Sequence, residues 1–323
     1  MPMPLETISC FCGKDTTSGV PLACRDDVSG EQFRYVTCAA CGAQRLNPRP
    51  DRDAIGGYYP VGYASHIIRP QHTAARIKHL IYLTFYAPDN RLSWRRPLLR
   101  ALLWPVRGHC SMAFDQVEPH RVFEFGAATG NDLVPFHAEG WQVAGCEPSP
   151  RACAIAAARG IALQCTPAET ATLPPTSVSA VLINNVLEHV HDPEAVLTKA
   201  WQGLVPGGSL VVIVPNHAGP AARLFPAAWP GYDAPRHLWG FTPASLTALL
   251  DRAGFPRPTI HQMFQGRWAW QGSLEGSRAA TSPSAWRRRH ARWLSLAFLP
   301  FGILTALFGR GDFMTVVARK PLD

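Results

Sequence analysis

Two glycines and a carboxylate follow each other in an order that suits binding of an adenosine-like ligand. The segment 123–131, Phe-Glu-Phe-Gly-Ala-Ala-Thr-Gly-Asn, places Gly126 and Gly130 where a predicted strand turns into a helix. Small residues let the backbone approach a ligand, and a helix N-terminus offers N–H groups. Glu147 ends the next predicted strand, where an acid accepts hydrogen bonds from ribose hydroxyls. The loop alone is equally typical of proteins that bind nothing there, and the alternative role of Glu147 is to cap the helix beginning near Pro150.

Four cysteines near the N-terminus have the type and spacing of metal ligands. Cys10 and Cys12 form one pair, Cys38 and Cys41 form a second, and a glycine follows each pair. Glycine permits the tight turn that aims thiolates at one ion, and four thiolates in a tetrahedral array suit zinc. We therefore predict a structural zinc site. The first pair is one residue shorter than the usual C-x-x-C, so the alternatives are that Cys24 supplies one ligand or that the cysteines bind no metal.

The chain from Arg121 onward predicts the elements that position these residues. Short apolar runs alternate with amphipathic stretches, which is typical of βαβ units and a mostly parallel sheet. We predict an α/β fold with a Rossmann-like, seven-stranded, mostly parallel sheet and a small N-terminal cysteine module. The predicted strands are 122–125, 142–146, 161–164, 180–184, 210–214, 259–263 and 313–318.

Composition excludes several classes of protein. The chain has 323 residues, 47% of them apolar and 17% charged, which argues against disorder. Nine cysteines in this length do not resemble a disulfide scaffold, so we expect a cytoplasmic protein. The net charge of +8 is spread widely, but three consecutive arginines begin at Arg287 and precede an apolar stretch, 293–308, that is shorter than the ~20 residues of a spanning helix. This part of the chain packs into the core or, alternatively, touches the inner face of a membrane as a peripheral contact.

Five motifs in order carry a family resemblance. They are Phe123–Gly130, Glu147, Ala168-Glu169 with Leu173-Pro174, Asn184–Val190, and Leu204–Leu210 with its Pro-Gly-Gly turn. This order resembles the class I S-adenosylmethionine-dependent methyltransferases over roughly 121–254 and the final strand. The resemblance implies S-adenosylmethionine as cofactor, bound by Glu124, Gly126, Ala128, Gly130, Glu147, Pro148, Ala168, Glu169 and Asn185. A dinucleotide-binding Rossmann fold fits less well, because no glycine stands two positions before the first one.

Two residues depart from the family's pattern. Ala128 stands where the first motif usually has glycine, and its methyl group narrows the approach to the cofactor. In ubiquinone-type O-methyltransferases, which the fourth motif resembles, a glutamate that helps to hold a divalent metal occupies the position of Asn185. One hard anionic ligand is then missing, and we expect metal dependence to be weak or lost.

Histidines are the candidate acceptor-side groups. Methyl transfer needs in-line placement above all, but a hydroxyl acceptor also benefits from a general base. His189, His191 and His237 qualify by residue type, and we favour His237 and His189 as catalytic residues. The alternative for His189 is a hydrogen-bonded residue that orients its loop.

An irregular aromatic and cationic stretch, 215–242, is the candidate acceptor-covering segment, which we call the acceptor segment. Its composition suits a loop over a ligand. Within it, Thr242 followed by Pro243 also has the pattern of a helix N-cap and first position. The pattern around His237 and Thr242 resembles a subgroup of the same methyltransferases.

The predicted organisation is a zinc-ribbon-like module at 1–50, a helical connector at 51–116, and a class I methyltransferase domain at 117–323 with an apolar and basic insertion near 265–311. The module resembles the N-terminal region of some bacterial sugar and polysaccharide methyltransferases, which implies a small-molecule, sugar or lipid-linked acceptor. Nucleic acid is less favoured as a partner, because the sequence between Cys10 and Cys41 contains only three basic residues and four acidic ones. The alternative function is a non-catalytic binding protein whose Rossmann-like sheet and zinc module form a scaffold for a partner.

Overall fold

The computed structural model describes residues 3–59, 80–85, 95–104, 117–264, 266–276 and 284–322. Most of the predicted connector 51–116 lies outside these ranges. The strands are β1 Leu5–Glu6, β2 Thr17–Arg25, β3 Gln32–Cys38, β4 Gln44–Leu46, β5 Arg49–Pro50, β6 Arg121–Phe125, β7 Gln142–Cys146, β8 Leu163–Gln164, β9 Val178–Asn184, β10 Leu204–Pro215, β11 Trp239–Gly240, β12 Thr259–Met263 and β13 Phe313–Arg319. The α-helices are α1 Arg96–Leu103, α2 Leu133–Ala138, α3 Pro150–Ala157, α4 Pro193–Gly203, α5 Pro220–Leu224, α6 Pro243–Arg252, α7 Gly272–Glu275, α8 Ala285–Ala297 and α9 Leu299–Leu307.

Seven strands form one sheet in the order β12-β13-β10-β9-β6-β7-β8. The neighbours from β10 to β8 pair in parallel, which confirms the predicted α/β fold and its mostly parallel sheet. Six of the seven residues of the central strand β9 are buried and its stretch 180–183 is continuously apolar, as expected of a strand that is covered on both faces. Several strand ends differ from the prediction, among them the start of β9 at Val178, two residues earlier than predicted. β8 begins two residues later, and β10 begins at Leu204 with a register break before Ser209, because the Pro-Gly-Gly turn is taken within the strand.

Contacts along the chain divide it into two compact units. One comprises Met1–Val61, Val214–Leu249 and Gln262–Met314, and the other comprises Gly62–Ile213, Leu250–His261 and Thr315–Asp323. We call them the module unit and the sheet unit. The cysteine module thus shares its unit with the acceptor segment. The boundaries predicted at residues 50 and 116 remain predictions.

The core of the sheet unit lies around β6 and β9. Its buried side chains include Val122, Phe136, Trp141, Leu182 and Val211. Trp141 packs edge-on to Phe136, with ring centroids 5.4 Å apart. This packing joins the helix that follows β6 to the amino end of β7.

The module unit contains a four-stranded antiparallel sheet in the order β11-β4-β3-β2. Its last strand comes from the acceptor segment, because Trp239 pairs with Arg45 and Gly240 pairs with Gln44. The Tyr35 hydroxyl also donates a 2.6 Å hydrogen bond to the carbonyl of His237. The module and the acceptor segment are therefore one packed structure.

A buried arginine stabilises the packing of the cysteine module against the acceptor segment. The guanidinium of Arg236 donates to Asp26 at 2.9 Å, Asp27 at 2.7 Å and Asp233 at 2.6 Å. Burial by itself would raise the pKa of Asp26, but hydrogen bonds from Ser29 and the charge of Arg236 lower it. A charge this deeply buried is tolerated only because its partners are in place.

Among the described residues, no single helix is both long and apolar enough to cross a membrane, although one bent pair of helices meets the same length and composition criterion.

We expect Arg236→Met to lower the free energy of unfolding by about 3–5 kcal/mol, because it leaves buried carboxylates without a counter-charge. Arg252→Met is the matched control. Arg252 pairs with Glu194 at 2.8 Å on the surface, and its loss should cost at most about 1 kcal/mol. Urea unfolding measures both. Equal losses for the two variants would contradict the role given to Arg236.

Candidate functional site

The loop between β6 and α2 is shaped by three residues in the left-handed region. Gly126, Ala128 and Gly130 have φ values of 67°, 48° and 74°. A Cβ on Gly126 would lie 2.3 Å from Val186 Cγ2, and one on Gly130 would lie 2.9 Å from Ile161 Cδ1. The two glycines are therefore required by conformation and by close packing. Ala128 adopts the same strained region with a side chain, which is where the sequence departs from the family's pattern.

Glu147 ties this loop to the end of β7. Its buried carboxylate accepts a hydrogen bond from the Ala128 N–H at 3.0 Å and another from the Ser149 N–H at 3.0 Å. Ser149 is the N-cap of α3, since its hydroxyl accepts from the Ala152 N–H. Ser149, and not Glu147, therefore caps α3 with its side chain. The Glu147 carboxylate instead binds the backbone of the glycine loop at Ala128.

The loop after β9 is held to the same glycine loop. The Asn184 amide donates to the carboxylate of Asp132, the residue that precedes α2. Asn185 has φ 53°, a conformation that asparagine tolerates well, and its amide donates to Asn184 Oδ1 at 2.8 Å. The exposed Asn185 side chain therefore lies beside the group that anchors α2.

The predicted adenine-side stretch is fixed by polar contacts. Glu169 Oε1 accepts from the His191 N–H at 2.9 Å, and the Lys199 ammonium donates to the carbonyls of Glu169 and Ala171. Ala168 is buried beside it. These contacts connect the stretch to the histidine-bearing loop after β9.

The remaining predicted residues of the sheet unit occupy varied positions. Glu124 is buried within β6, and Pro148 is exposed between β7 and α3. His189 is half-buried, and its backbone N–H donates to the Val186 carbonyl. These placements do not test the roles assigned from the resemblance.

In the module unit, His237 is buried and held from several directions. Its Nδ1 lies 2.7 Å from the carbonyl of Gly231, and its backbone N–H donates to the Asp233 carbonyl. The predicted N-cap Thr242 is present, because its hydroxyl accepts from the Ser245 N–H at 3.1 Å. His237 is thus placed by the local turn that ends in β11.

His217 is a further candidate that the predicted catalytic set omits. Its ring is enclosed by Tyr232 and Trp229, at centroid distances of 4.7 and 4.9 Å. Nδ1 lies 2.9 Å from Gln44 Oε1, and the Tyr232 hydroxyl donates to the same oxygen at 2.7 Å. In the described part of the chain, His217 Nε2 and Trp229 Nε1 are buried without a hydrogen-bond partner. Burial lowers the pKa of His217 to about 3, against an opposing effect of the Gly231 carbonyl.

Gln44 fixes the tautomer of His217. An amide oxygen only accepts, so the 2.9 Å contact places the proton on Nδ1 and leaves the lone pair on Nε2. Gly240, which pairs with Gln44 between β11 and β4, permits this arrangement, because a Cβ there would lie 2.4 Å from His217 Nδ1. A glutamine three residues after Cys41 carries no recognisable sequence signal, which is why it was not predicted.

The four predicted metal ligands converge. The sulfurs of Cys10, Cys12, Cys38 and Cys41 all lie within 4.8 Å of one another, with Cys10–Cys41 and Cys12–Cys38 both at 3.6 Å. We call this group the cysteine cluster. Cys24 lies in β2 and is not part of it. A tetrahedral site with Zn–S bonds of about 2.3 Å has sulfurs about 3.8 Å apart, so the arrangement fits zinc.

Backbone groups favour the thiolate of Cys38, whereas burial raises the pKa of Cys41 to about 11 and also raises the pKa of Cys10. Burial opposes ionisation of Cys38, but N–H groups of Cys41 and Ala40 and neighbouring thiols lower its pKa to about 7. Gly13 and Gly42, with φ 74° and 72°, donate to the carbonyls of Cys10 and Cys38 and close both turns. This is the turn geometry anticipated from the glycine that follows each pair.

We expect Ala128→Gly to raise the free energy of unfolding by up to about 1 kcal/mol. Relief of the left-handed strain, about 1–2 kcal/mol, exceeds the entropic cost of glycine, about 0.5–1 kcal/mol. Ala127→Gly is the control, since Ala127 lacks a positive φ and should lose stability. Urea unfolding compares them. Similar losses in both variants would refute strain at Ala128.

We expect His217 to make stability depend on pH. Its pKa in the fold, about 3, lies below its ordinary value of 6.5, so only the unfolded chain binds this proton between the two. The contribution of His217 to the free energy of unfolding should then fall by about 1.4 kcal/mol per pH unit as pH decreases below 6.5, whereas Asp312, whose pKa burial raises to about 6, contributes the opposite change below pH 6. His217→Gln should abolish this slope, whereas His137→Gln, which removes an exposed imidazole, should keep it. Urea unfolding at pH 7 and pH 5 tests this, and parallel behaviour of wild type and His217→Gln would count against it.

Solved structures include similar folds. The chain resembles S-adenosylmethionine-dependent methyltransferases from Thermotoga maritima, at 22% identity over 62% of this chain and 81% of that one with a TM-score of 0.44, and from Archaeoglobus fulgidus, at 18% identity over 72% and 100% with a TM-score of 0.44. A third, from Mesorhizobium loti, has 18% identity over 70% and 97% with a TM-score of 0.42. At these scores the likenesses carry no information about the acceptor.

Comparison with curated proteins gives no significant match. The methyltransferase domain family, in contrast, matches residues 86–256, which is more than half of the chain. This range contains the glycine loop, Glu147 and the loop after β9. The chain therefore belongs to the methyltransferase domain family and is an S-adenosylmethionine-dependent methyltransferase.

Proposed function

We propose that the protein transfers the methyl group of S-adenosylmethionine to a small-molecule, sugar or lipid-linked acceptor. The observation that supports the cofactor assignment best is the buried Glu147 carboxylate, which is bonded to the Ala128 N–H at the ends of β6 and β7. A carboxylate accepts about four hydrogen bonds, so holding the loop and binding a ribose are compatible roles. When bound, the cofactor supplies a methyl group activated on a sulfonium.

We propose the remaining contacts with the cofactor from the positions of the residues in the family motifs. Gly126, Ala128 and Gly130 offer backbone to the amino-acid moiety, and Glu124 and Pro148 flank the loop and the ribose acid. Ala168, Glu169 and Asn185 border the adenine. The polar links Asn184–Asp132 and Glu169–His191 support this set, because they keep its loops at fixed positions.

We propose that histidine side chains contact the methyl acceptor. His237 and His189 remain our candidates for catalytic residues, and we add His217 as a group that orients a hydroxyl. A base with a pKa of about 3 removes protons poorly near neutrality, but its Nε2 lone pair accepts a hydrogen bond well. Trp229 Nε1 can donate to the same kind of group. A hydroxyl both donates and accepts, so it matches this pair of buried atoms.

We also propose that the cysteine cluster binds one structural zinc ion. The sulfur separations of 3.6 Å support it, as do the N–H groups that lower the pKa of Cys38. The ion would hold the turn that leads into β4 and Gln44.

Calorimetric titration with S-adenosylhomocysteine tests the cofactor site. Glu147→Ala should weaken binding about tenfold or more, corresponding to about 1.5 kcal/mol, because the ribose hydrogen bonds are lost. Glu118→Ala, which removes an exposed carboxylate, is the control. Thermal unfolding of each variant separates lost binding from lost fold. Absence of binding to the wild type would favour the non-catalytic binding protein instead.

Metal analysis tests the zinc site. We expect one zinc per chain in the wild type and substantially less in Cys12→Ser and Cys38→Ser, because three thiolates remain. Cys165→Ser, in which an exposed cysteine outside the cluster is replaced, should retain the full content. Loss of zinc in Cys24→Ser but not in Cys12→Ser would support the other ligand set.

A further inference from the structure

Helices α8 and α9 expose their large apolar side chains instead of burying them. Trp293 is 68% exposed and Phe308 is 76% exposed. We call the exposed set the apolar face; its members are Trp286, Trp293, Leu296, Phe301, Ile303, Leu304, Leu307 and Phe308. An exposed group of this size, carried by two consecutive helices, is unusual for a surface in contact only with water.

The opposite side of the two helices packs on other residues of the same module unit, partly through small side chains. Ala291, Ser295 and Gly302 are buried, and Phe298 stacks on Trp270 at a centroid distance of 4.8 Å. A Cβ on Gly302 would lie 1.8 Å from the Phe264 ring, so this helix face fits only in its observed orientation. The helices cannot rotate to bury the apolar face without losing these contacts.

The charged side chains of the segment that carries the apolar face have one sign. Residues 276–311 contain six arginines and no aspartate or glutamate. Arg289 and Arg292 are exposed on α8, Arg310 is exposed just after α9, and the Arg292 guanidinium lies 6.0 Å from the centroid of the Trp293 ring. Arginine beside exposed tryptophan, phenylalanine and leucine is the composition of helices that lie in an anionic membrane interface.

We propose that the apolar face docks on the surface of an anionic lipid bilayer. Its aromatic and aliphatic side chains enter the headgroup boundary, and its arginines face the lipid phosphates. A second copy is a poorer partner, because a twofold interface would bring the same arginine-rich surfaces together. Spanning is also disfavoured. No single helix in the described ranges is long enough, and the pair Arg289–Ala297 and Pro300–Leu307 is bent by 47° and carries Arg289 and Arg292 in its first four residues.

Vesicle flotation of the full chain tests this surface without any methyl acceptor. The wild type should float with phosphatidylcholine vesicles that contain about one third phosphatidylglycerol, and much less with phosphatidylcholine alone or at high salt. Alkaline carbonate should release it. Failure to float with the anionic vesicles would overturn the proposal, and so would resistance to carbonate, which indicates a spanning segment.

Variants locate the binding surface. Trp293→Ser/Leu304→Ser/Phe308→Ser should lower the partition coefficient at least tenfold, because three apolar anchors are removed. Arg289→Gln/Arg292→Gln should lower it about fivefold per arginine, and only for anionic vesicles. Val20→Ser/Val28→Ser, which removes exposed valines of the cysteine module, is the control and should bind like the wild type.

Circular dichroism and S-adenosylhomocysteine titration establish that each variant is folded. The proposal fails if the folded triple variant floats as the wild type does. It also fails if the wild type is a stable dimer by sedimentation and the triple variant is a monomer that binds vesicles equally well, because the face is then an interface between copies. Neither result depends on the identity of the methyl acceptor, so the proposed function stands or falls separately.

Discussion

A buried carboxylate must find partners, and the cofactor end of the sheet depends on how Glu147 does so. Removing this charge from water is costly unless hydrogen-bond donors replace the lost solvent. The N–H groups of Ala128 and Ser149 supply that compensation at 3.0 Å each. One consequence is that Ala128 is held with φ 48° even though it has a side chain. Another is that the loop after β6 and the start of α3 cannot move independently.

In the module unit the buried charge is positive, and carboxylates compensate for its removal from water. Arg236 is buried and reaches three carboxylates, two from the turn that follows β2 and one from the acceptor segment. The shared strand pairing of β4 and β11 continues the connection to Gln44 and His217. These contacts join residues about 200 positions apart in the sequence, so the acceptor segment and the cysteine module pack as one structure. A ribbon that merely recruits a partner would not need this interlocking.

Sequence patterns predict the sheet well because its signals are local. Continuous apolar runs such as β9, followed by small residues and a helix start, define each βα unit within about thirty residues. The convergence of Cys10, Cys12, Cys38 and Cys41 is also predictable, since glycine-assisted turns are local. The strand β2 escapes prediction because its first five residues are all exposed, Val20 almost fully, and it therefore shows no alternation of apolar and polar positions. The arrangement of Gln44, His217 and Gly240 is likewise unpredictable, since it exists only once β4 and β11 pair.

The two sides of the reaction are therefore specified by different means. On the cofactor side the important groups are backbone N–H donors and residues that permit a positive φ, so motif order suffices to locate them. In the acceptor segment, the candidate groups that we propose are buried side chains whose tautomers and orientations depend on distant partners. The Gln44 oxygen determines which nitrogen of His217 carries the proton, and Gly240 leaves room for the ring. Changes at Gln44 or Gly240 would alter the surroundings of His217 without touching any family motif, so the motifs of the cofactor side and these side chains can vary independently.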